Sequence, residues 1–95
     1  MVHNIADITG DGSAHPLIAS NVRTPACWLE INATAGNSAA VRIGDSTTSA
    51  TSGTPVASGA GQLFPPIGTT QYMDLSQIWY YAANGDKFSV TYGVA

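Results

Sequence analysis

The sequence predicts an all-β domain, a small β-sandwich for which a jelly roll is one fitting topology. No segment carries a sustained 3.6-residue apolar repeat, and the chain is rich in Gly, Ser, Thr, Asn and Pro, which disfavour helix interiors. Short runs instead alternate polar and apolar residues, as half-buried strands do. Turn-forming residues separate these runs about every ten residues, which gives about seven or eight strands in a single domain, residues 1–95.

The N-terminal part holds the first predicted strands and a candidate arm. Residues 2–8 and 17–19 have the pattern of short strands with a turn-rich segment between them. Residues 2–8, with Val2 and Ile5 among their apolar side chains, could add as a strand to an exposed sheet edge of a neighbouring molecule. We therefore expect residues 1–25 to supply first strands or an arm.

A first hairpin is predicted in the middle of the chain. Residues 26–33 alternate, with Leu29 and Ile31 on one face of the predicted strand. The segment Ala35-Gly36-Asn37-Ser38 supplies a turn, and residues 39–43 supply the partner strand.

A second hairpin is predicted near the C-terminus. Residues 77–83 and 87–92 flank Asn84-Gly85-Asp86, and Asn-Gly favours the positive φ values that tight turns need. Alternation places Tyr80 and Phe88 in a shared core.

The segment between the hairpins has few large apolar residues. Residues 44–61 are mostly Ser, Thr, Ala and Gly, which predicts a long loop or a poorly packed edge region, with one short strand near residues 55–57. A further short strand is predicted over residues 62–64.

Charged side chains are scarce, at 9% of the chain against about 25% in an average soluble domain. The three basic residues, Arg23, Arg42 and Lys87, do not cluster, which argues against a nucleic-acid partner. A surface of Ala, Ser, Thr and Gly loses little free energy on desolvation and repels other copies weakly. The composition therefore favours a protein that packs against partners.

No motif for catalysis, a metal or a cofactor stands out. Cys27 is the single cysteine, and His3 and His15 lack the companions of a zinc site. Asp7-Ile8-Thr9-Gly10-Asp11-Gly12 is a partial match to a calcium loop without the full set of oxygen ligands. We expect no enzyme activity, no metal and no cofactor.

No membrane association is expected either. No apolar run is long enough to span a bilayer, and the N-terminus lacks the basic and apolar regions of a signal peptide. The sequence therefore favours synthesis in a cytoplasm.

The aromatic residues are the feature with functional weight. Trp79, Tyr80 and Tyr81 are consecutive, so a strand that buries Tyr80 turns Trp79 and Tyr81 to the other face, where Trp28 is expected nearby. There they would stack on a sugar, anchor a protein contact or pack against a second sheet of the same chain. The candidate interaction surface consists of Val2, Ile5, Trp28, Trp79 and Tyr81.

Five runs of residues, spread over residues 26–92, resemble in type and order the small virion proteins of tailed bacteriophages and prophages. A strand, a Gly-Asn turn, a second strand, an apolar strand and a terminal Asn-Gly-Asp hairpin recur in that group in this order. The runs are Trp28-Leu29-Glu30-Ile31, Ala35-Gly36-Asn37-Ser38, Val41-Arg42-Ile43-Gly44-Asp45, Leu75-Ser76-Gln77-Ile78-Trp79 and Ala83-Asn84-Gly85-Asp86-Lys87-Phe88-Ser89-Val90-Thr91-Tyr92.

The resemblance implies a structural role, because the group includes capsid decoration proteins, small β-sandwiches that sit as oligomers on the phage head. The implied partners are the major capsid protein and further copies of the chain, with a trimer favoured. The implied location is the capsid surface, after synthesis in the cytoplasm of a bacterial host. Other members belong to head fibres or tails. Outside this group, a small carbohydrate-binding module that uses Trp79 and Tyr81 is the alternative.

Overall fold

The structure is a computed structural model that describes residues 2–18, 22–64 and 73–94. In these residues the chain forms ten β-strands and one short 3-10 helix, which confirms the predicted all-β fold. The strands are β1 Val2–Thr9, β2 Ala14–Pro16, β3 Pro25–Ala26, β4 Trp28–Ala33, β5 Val41–Gly44, β6 Thr54–Val56, β7 Gly61–Phe64, β8 Met73–Asp74, β9 Trp79–Tyr81 and β10 Lys87–Gly93, and the 3-10 helix is Leu75–Gln77.

Eight of the strands form two four-stranded antiparallel sheets, which pack as a sandwich. Sheet A has the order β1-β10-β4-β7, and sheet B has the order β2-β9-β5-β6. Strands pair in a nested way: β1 with β10, β2 with β9, β4 with β7 and β5 with β6, while β3 and β8 form a small ribbon between them. Nested pairs that wrap alternately into two sheets make a jelly roll.

The core contains the alternate residues that the sequence pattern predicts. Leu29 and Ile31 of β4 are fully buried, whereas Glu30 between them is exposed. Tyr80 contacts Phe88 edge to face, with ring centroids 5.0 Å apart. The largest fully buried side chains are Leu29, Ile31, Val41, Val56, Leu75, Phe88 and Val90.

Strand β1 lies at the edge of sheet A and contains a β-bulge. Ile5 lies opposite Val90 and Ile8 lies opposite Phe88, so three steps along β1 match two steps along β10. The extra residue lets both isoleucines pack against the core, although side chains three positions apart in a regular strand point to opposite faces. Residues 2–8 thus form a strand of their own domain.

Both predicted hairpins are wrong as pairings, although their strands exist. Strand β4 lies in sheet A and β5 in sheet B; likewise β9 lies in sheet B and β10 in sheet A. The predicted Asn84-Gly85 turn is nevertheless present, because Gly85 has a φ of 87° and Asp86 N–H donates to the Ala83 carbonyl at 2.9 Å. Each of the two turns therefore carries the chain across from one sheet to the other.

Two shorter predictions also need correction. The strand predicted over residues 17–19 lies earlier, at Ala14–Pro16; Leu17 and Ile18 follow it as a bend, and Ala19 lies outside the described residues. The apolar strand expected to begin at Leu75 is a 3-10 helix, which Asp74 caps by accepting a hydrogen bond from Ser76 N–H. The short strands predicted near residues 55–57 and 62–64 are confirmed as β6 and β7.

A buried carboxylate ties together three connections at one end of the sandwich. Asp86 is 7% exposed and accepts hydrogen bonds from Ser38 N–H and Ala39 N–H at 2.9 and 3.1 Å, and both of its oxygens accept from Ser38 Oγ. The Asp86 carbonyl accepts from Gly10 N–H at 2.7 Å, and the Gly10 carbonyl accepts from Gly85 N–H at 3.0 Å. We call Gly10, Ser38, Ala39, Gly85 and Asp86 the junction.

Candidate functional site

Trp79 and Tyr81 lie on the outer face of sheet B, as the alternation predicts. Tyr80, between them in β9, is buried, whereas both neighbours are half-buried. No hydrogen bond within the described residues engages the Trp79 indole N–H or the Tyr81 hydroxyl. Among the described residues, both polar groups therefore lack a hydrogen-bond partner.

Three of the four residues that lie opposite these two aromatics have small side chains or none, and the fourth is held by a hydrogen bond. Pro16 and Gly44 lie opposite Trp79, while Ala14 and Arg42 lie opposite Tyr81. The Arg42 guanidinium donates through Nη1 to the Gly53 carbonyl at 3.0 Å. The outer face of sheet B is thus an aromatic platform with one basic group at its side.

The connection between β5 and β6, residues 45–53, folds back onto sheet B and is called here the hairpin loop. A Cβ at Gly44 would lie 2.7 Å from Thr48 Oγ1, so the loop packs against the position opposite Trp79. Thr48 itself is buried, and its hydroxyl donates to the Asp45 carbonyl at 2.6 Å. Only a glycine at position 44 allows the loop to approach so closely.

The hairpin loop and the adjoining ends of β5 and β6 line an open pocket of about 410 Å³. Its lining is mostly polar backbone, hydroxyl and carboxylate groups, contributed by Ile43, Gly44, Asp45, Thr47, Thr48, Ser52, Gly53 and Thr54. The pocket shares Gly44 with the neighbourhood of Trp79. A hydroxyl-lined cavity and an aromatic platform are therefore adjacent.

Asp45 is the ionisable group of this pocket. Its Oδ1 accepts from Thr47 Oγ1 at 2.5 Å and from Thr47 N–H at 2.8 Å. These two hydrogen bonds lower the pKa of Asp45 below its usual value of 3.8, so the carboxylate is ionised at neutral pH. Its Oδ2 accepts no hydrogen bond from the described part of the chain.

The outer face of sheet A is different, because it presents aliphatic side chains. Val2 in β1 is 64% exposed, and Leu63 in β7 is 52% exposed. Both point away from the core, since Val2 shares a register row with Trp28 and Leu63 lies opposite the exposed Glu30. The two lie at opposite edges of the sheet and two residues out of register, so about 16 Å separates them at the usual strand spacing and rise.

Trp28 also lies on the outer face of sheet A, where its indole covers Gly93. A Cβ at Gly93 would overlap the Nε1, Cε2 and Cδ1 atoms of that ring. The expectation that Trp28 lies near Trp79 and Tyr81 is wrong, because β4 and β9 belong to different sheets.

The five residues of the predicted interaction surface thus occupy three places. Trp79 and Tyr81 are on the outer face of sheet B, Val2 and Trp28 are on that of sheet A, and Ile5 packs against the core.

Other polar chemistry is sparse in the described residues. Asp11 Oδ2 lies 2.8 Å from His15 Nε2 on the surface, and this contact with His15 lowers the pKa of Asp11. No group of three or more His, Cys, Asp or Glu residues in that part of the chain is arranged to hold a metal ion. Nor does the described part contain a helix long and apolar enough to cross a membrane.

Two functional candidates were missed at the sequence level. Leu63 looks like an ordinary strand residue, and only its pairing with Glu30 reveals that it faces outward. Asp45 resembles any turn aspartate, although its place beside Gly44 and a run of hydroxyl residues is a usable signal.

Comparison with known proteins gives no family assignment, since searches of protein-family models, curated proteins and solved structures found no match to this chain.

Proposed function

We propose that this chain is a non-catalytic virion protein of a tailed bacteriophage, a capsid decoration protein that docks on the major capsid protein through the outer face of sheet A. The observation that carries the proposal is the pair of exposed aliphatic side chains, Val2 and Leu63, on the outer face of one four-stranded sheet. Apolar groups that are exposed in the free protein gain free energy when a partner covers them.

The electrostatics of that face support a neutral contact. Glu30 is the charged residue in its central rows, where Asn4, Thr91 and Asn32 are its polar neighbours. Asn32 Nδ2 donates to Glu30 Oε1 at 3.1 Å, and Thr91 Oγ1 donates to Asn4 Oδ1 at 3.3 Å. These bonds already satisfy part of the polar surface, which reduces the desolvation penalty of docking.

Self-association is the second part of the proposal, with a trimer as the expected state. The small number of charges permits close approach of subunits, and a domain of 95 residues gains stability from additional buried area. Size-exclusion chromatography with light scattering, on the protein alone and on capsids, measures this state. A strictly monomeric protein in both settings would contradict it.

The docking proposal is tested with emptied capsids of the phage that encodes the chain. Leu63→Lys places a charge within the proposed contact, on the edge strand β7, so we expect capsid affinity to fall by about tenfold or more. Val22→Lys is the matched control, because Val22 is 49% exposed but lies outside both sheets. Equal binding by both variants would refute docking through sheet A.

Salt distinguishes this contact from an electrostatic one. An apolar and neutral interface should bind almost equally at low and high ionic strength, because few ion pairs are present to be screened. A steep loss of binding with salt would contradict the neutral contact. Immunolabelling of virions by electron microscopy separates a decoration protein on the head from a head-fibre or tail protein.

A further inference from the structure

The outer face of sheet B is separate from the face proposed for docking, and its chemistry is different. It combines the half-buried rings of Trp79 and Tyr81 with the polar pocket of the hairpin loop. The two aromatics are two residues apart in β9, so their Cα atoms lie about 7 Å from each other on one side of the strand.

An aromatic surface alone could bind many kinds of ligand, but the polar pocket beside it restricts the chemical class of the ligand. Within the described residues, Asp45 Oδ2 accepts no hydrogen bond and the Ser52 and Thr54 hydroxyls donate none, so the pocket offers one acceptor group and two donors. The Thr47 and Thr48 hydroxyls already donate within the loop. A saccharide has the complementary surface, because its C–H faces stack on aromatic rings and its hydroxyls bind carboxylates and hydroxyls.

The two charged groups beside the aromatics restrict the charge of the ligand. Asp45 would repel an anionic chain, and the Arg42 guanidinium is partly engaged by the Gly53 carbonyl. A neutral saccharide is not repelled by Asp45 and does not require an ion pair with Arg42. We infer that Trp79, Tyr81 and Asp45 form a binding site for a neutral oligosaccharide on the outer face of sheet B.

In this site Trp79 provides the main stacking surface, since it lies opposite Gly44, where the platform meets the pocket. Tyr81 extends the platform toward Arg42. Asp45 orients the ligand by accepting hydrogen bonds from its hydroxyls, and Thr47 holds that carboxylate in place. The inference does not depend on capsid docking, which uses the other sheet.

The test uses the full chain and four soluble probes: maltoheptaose, cellohexaose, mannohexaose and chitohexaose. Binding is followed by tryptophan fluorescence in a Trp28→Phe background, where Trp79 is the single indole, and by calorimetry with the unmodified protein. We expect at least one probe to bind, and we expect Trp79→Ala to weaken that binding by about tenfold or more.

Matched variants keep the result interpretable. Trp28→Ala removes an equally half-buried indole from the other sheet and should leave saccharide affinity unchanged. Asp45→Ala lies in the loop, outside the sheets, and should weaken binding even if Trp79→Ala folds poorly. Circular dichroism of each variant confirms folding.

Three results would overturn the inference: no probe binds the unmodified protein, Trp28→Ala weakens binding as much as Trp79→Ala does, or Asp45→Ala binds normally. Loss of capsid binding in Trp79→Ala, without saccharide binding by the unmodified protein, would instead assign this face to a protein partner. Capsid binding by Leu63→Lys is measured separately, so failure of docking and failure of the saccharide site are distinguishable.

Discussion

The junction and the hairpin loop are built from the same kinds of residue, yet they stabilise the molecule in different ways. Each contains an aspartate that accepts hydrogen bonds from backbone N–H and hydroxyl groups. Asp86 bonds to Ser38 and Ala39, which lie 48 and 47 residues away in the chain. Asp45 bonds to Thr47, which lies two residues away.

The separation in sequence decides what each carboxylate controls. Bonds within a loop also form in a locally ordered segment, so losing them affects that loop first. Bonds between distant segments exist only when both sheets are assembled, so losing them weakens the whole domain. The junction should therefore control global stability and the hairpin loop only local order.

The largest effect is expected from Gly10→Ala in the junction. A Cβ at Gly10 would lie about 2.5 Å from the Ala82 Cβ and carbonyl oxygen and 2.6 Å from the Ala83 carbonyl oxygen. Because backbone atoms cannot move aside easily, we expect a loss of about 3 kcal/mol or more in the free energy of unfolding. Urea unfolding measures it.

Gly12→Ala is the control for this substitution. Gly12 has a φ of 81° and open space around its Cβ position, so only backbone strain of about 1 kcal/mol is expected. Equal stability losses at positions 10 and 12 would show that the junction is not closely packed.

The next effect is expected from Asp86→Ala. Removing this carboxylate leaves the Ser38 and Ala39 N–H groups without their acceptor in a partly buried site, so the melting temperature should fall clearly. Thermal unfolding by circular dichroism measures the change. A melting temperature equal to that of the unmodified protein would show that the junction does not govern global stability.

Acid should weaken the contribution of the same carboxylate, together with those of Asp11, Asp45 and Asp74, whose pKa values are also lowered in the folded state. The backbone hydrogen bond from Ser38 lowers the pKa of Asp86 below its usual value of 3.8, although desolvation opposes the shift. A lowered pKa in the folded state means that the stabilisation is complete above the unfolded-state pKa and is lost as pH falls through the folded-state pKa.

We therefore expect the free energy of unfolding to be steady from neutral pH to about pH 5 and to fall below that, where unfolded aspartates begin to take up protons. The fall should be smaller in Asp86→Asn than in Asp45→Asn. Urea unfolding between pH 2 and pH 7 measures both, since that range spans the usual aspartate pKa. Identical acid profiles would contradict the distinction between the two carboxylates.

A smaller effect is expected from Gly85→Val in the turn of the junction. Gly85 has a φ of 87° and nothing within 4 Å of its Cβ position, so backbone strain alone opposes the new side chain. A β-branched residue in this region costs roughly 1–2 kcal/mol. Urea unfolding should show a lower midpoint, and an unchanged midpoint would mean that the turn relaxes without a penalty.

The smallest effect on stability is expected from Asp45→Ala. The bonds that it removes lie within the exposed hairpin loop, so the melting temperature should stay close to that of the unmodified protein. Amide hydrogen exchange of Thr47 and its neighbours should accelerate. A drop in melting temperature as large as that of Asp86→Ala would remove the difference between the two regions.

The sequence predicts the face of each residue better than it predicts the partner of each strand. Alternation alone places Leu29 in the core and Trp79 outside it, because the period of two residues is a property of a single strand. Pairing depends on segments far apart in the chain, and the Asn84-Gly85 turn is compatible with a hairpin and with a crossing between sheets. Both predicted hairpins failed for this reason.

In the candidate site, too, local sequence pattern predicts some features, and others depend on the tertiary structure. The outward direction of Trp79 and Tyr81 follows from local pattern. The separation of Trp28 from them depends on sheet membership, which no local signal carries. The closeness of the hairpin loop to Gly44 needs a chain reversal that composition does not specify.

The nested pairing of strands has a consequence for the synthesis of the chain. Strand β5 meets its partner β6 across a short loop, whereas β1 must wait for β10, which is synthesised after the other nine strands. Loop-closure entropy favours the inner pair, so we expect folding to begin at the hairpin loop and to proceed outward pair by pair. Until β10 has been synthesised, β1 is an unpaired strand of the nascent chain, available to chaperones or to a neighbouring nascent chain.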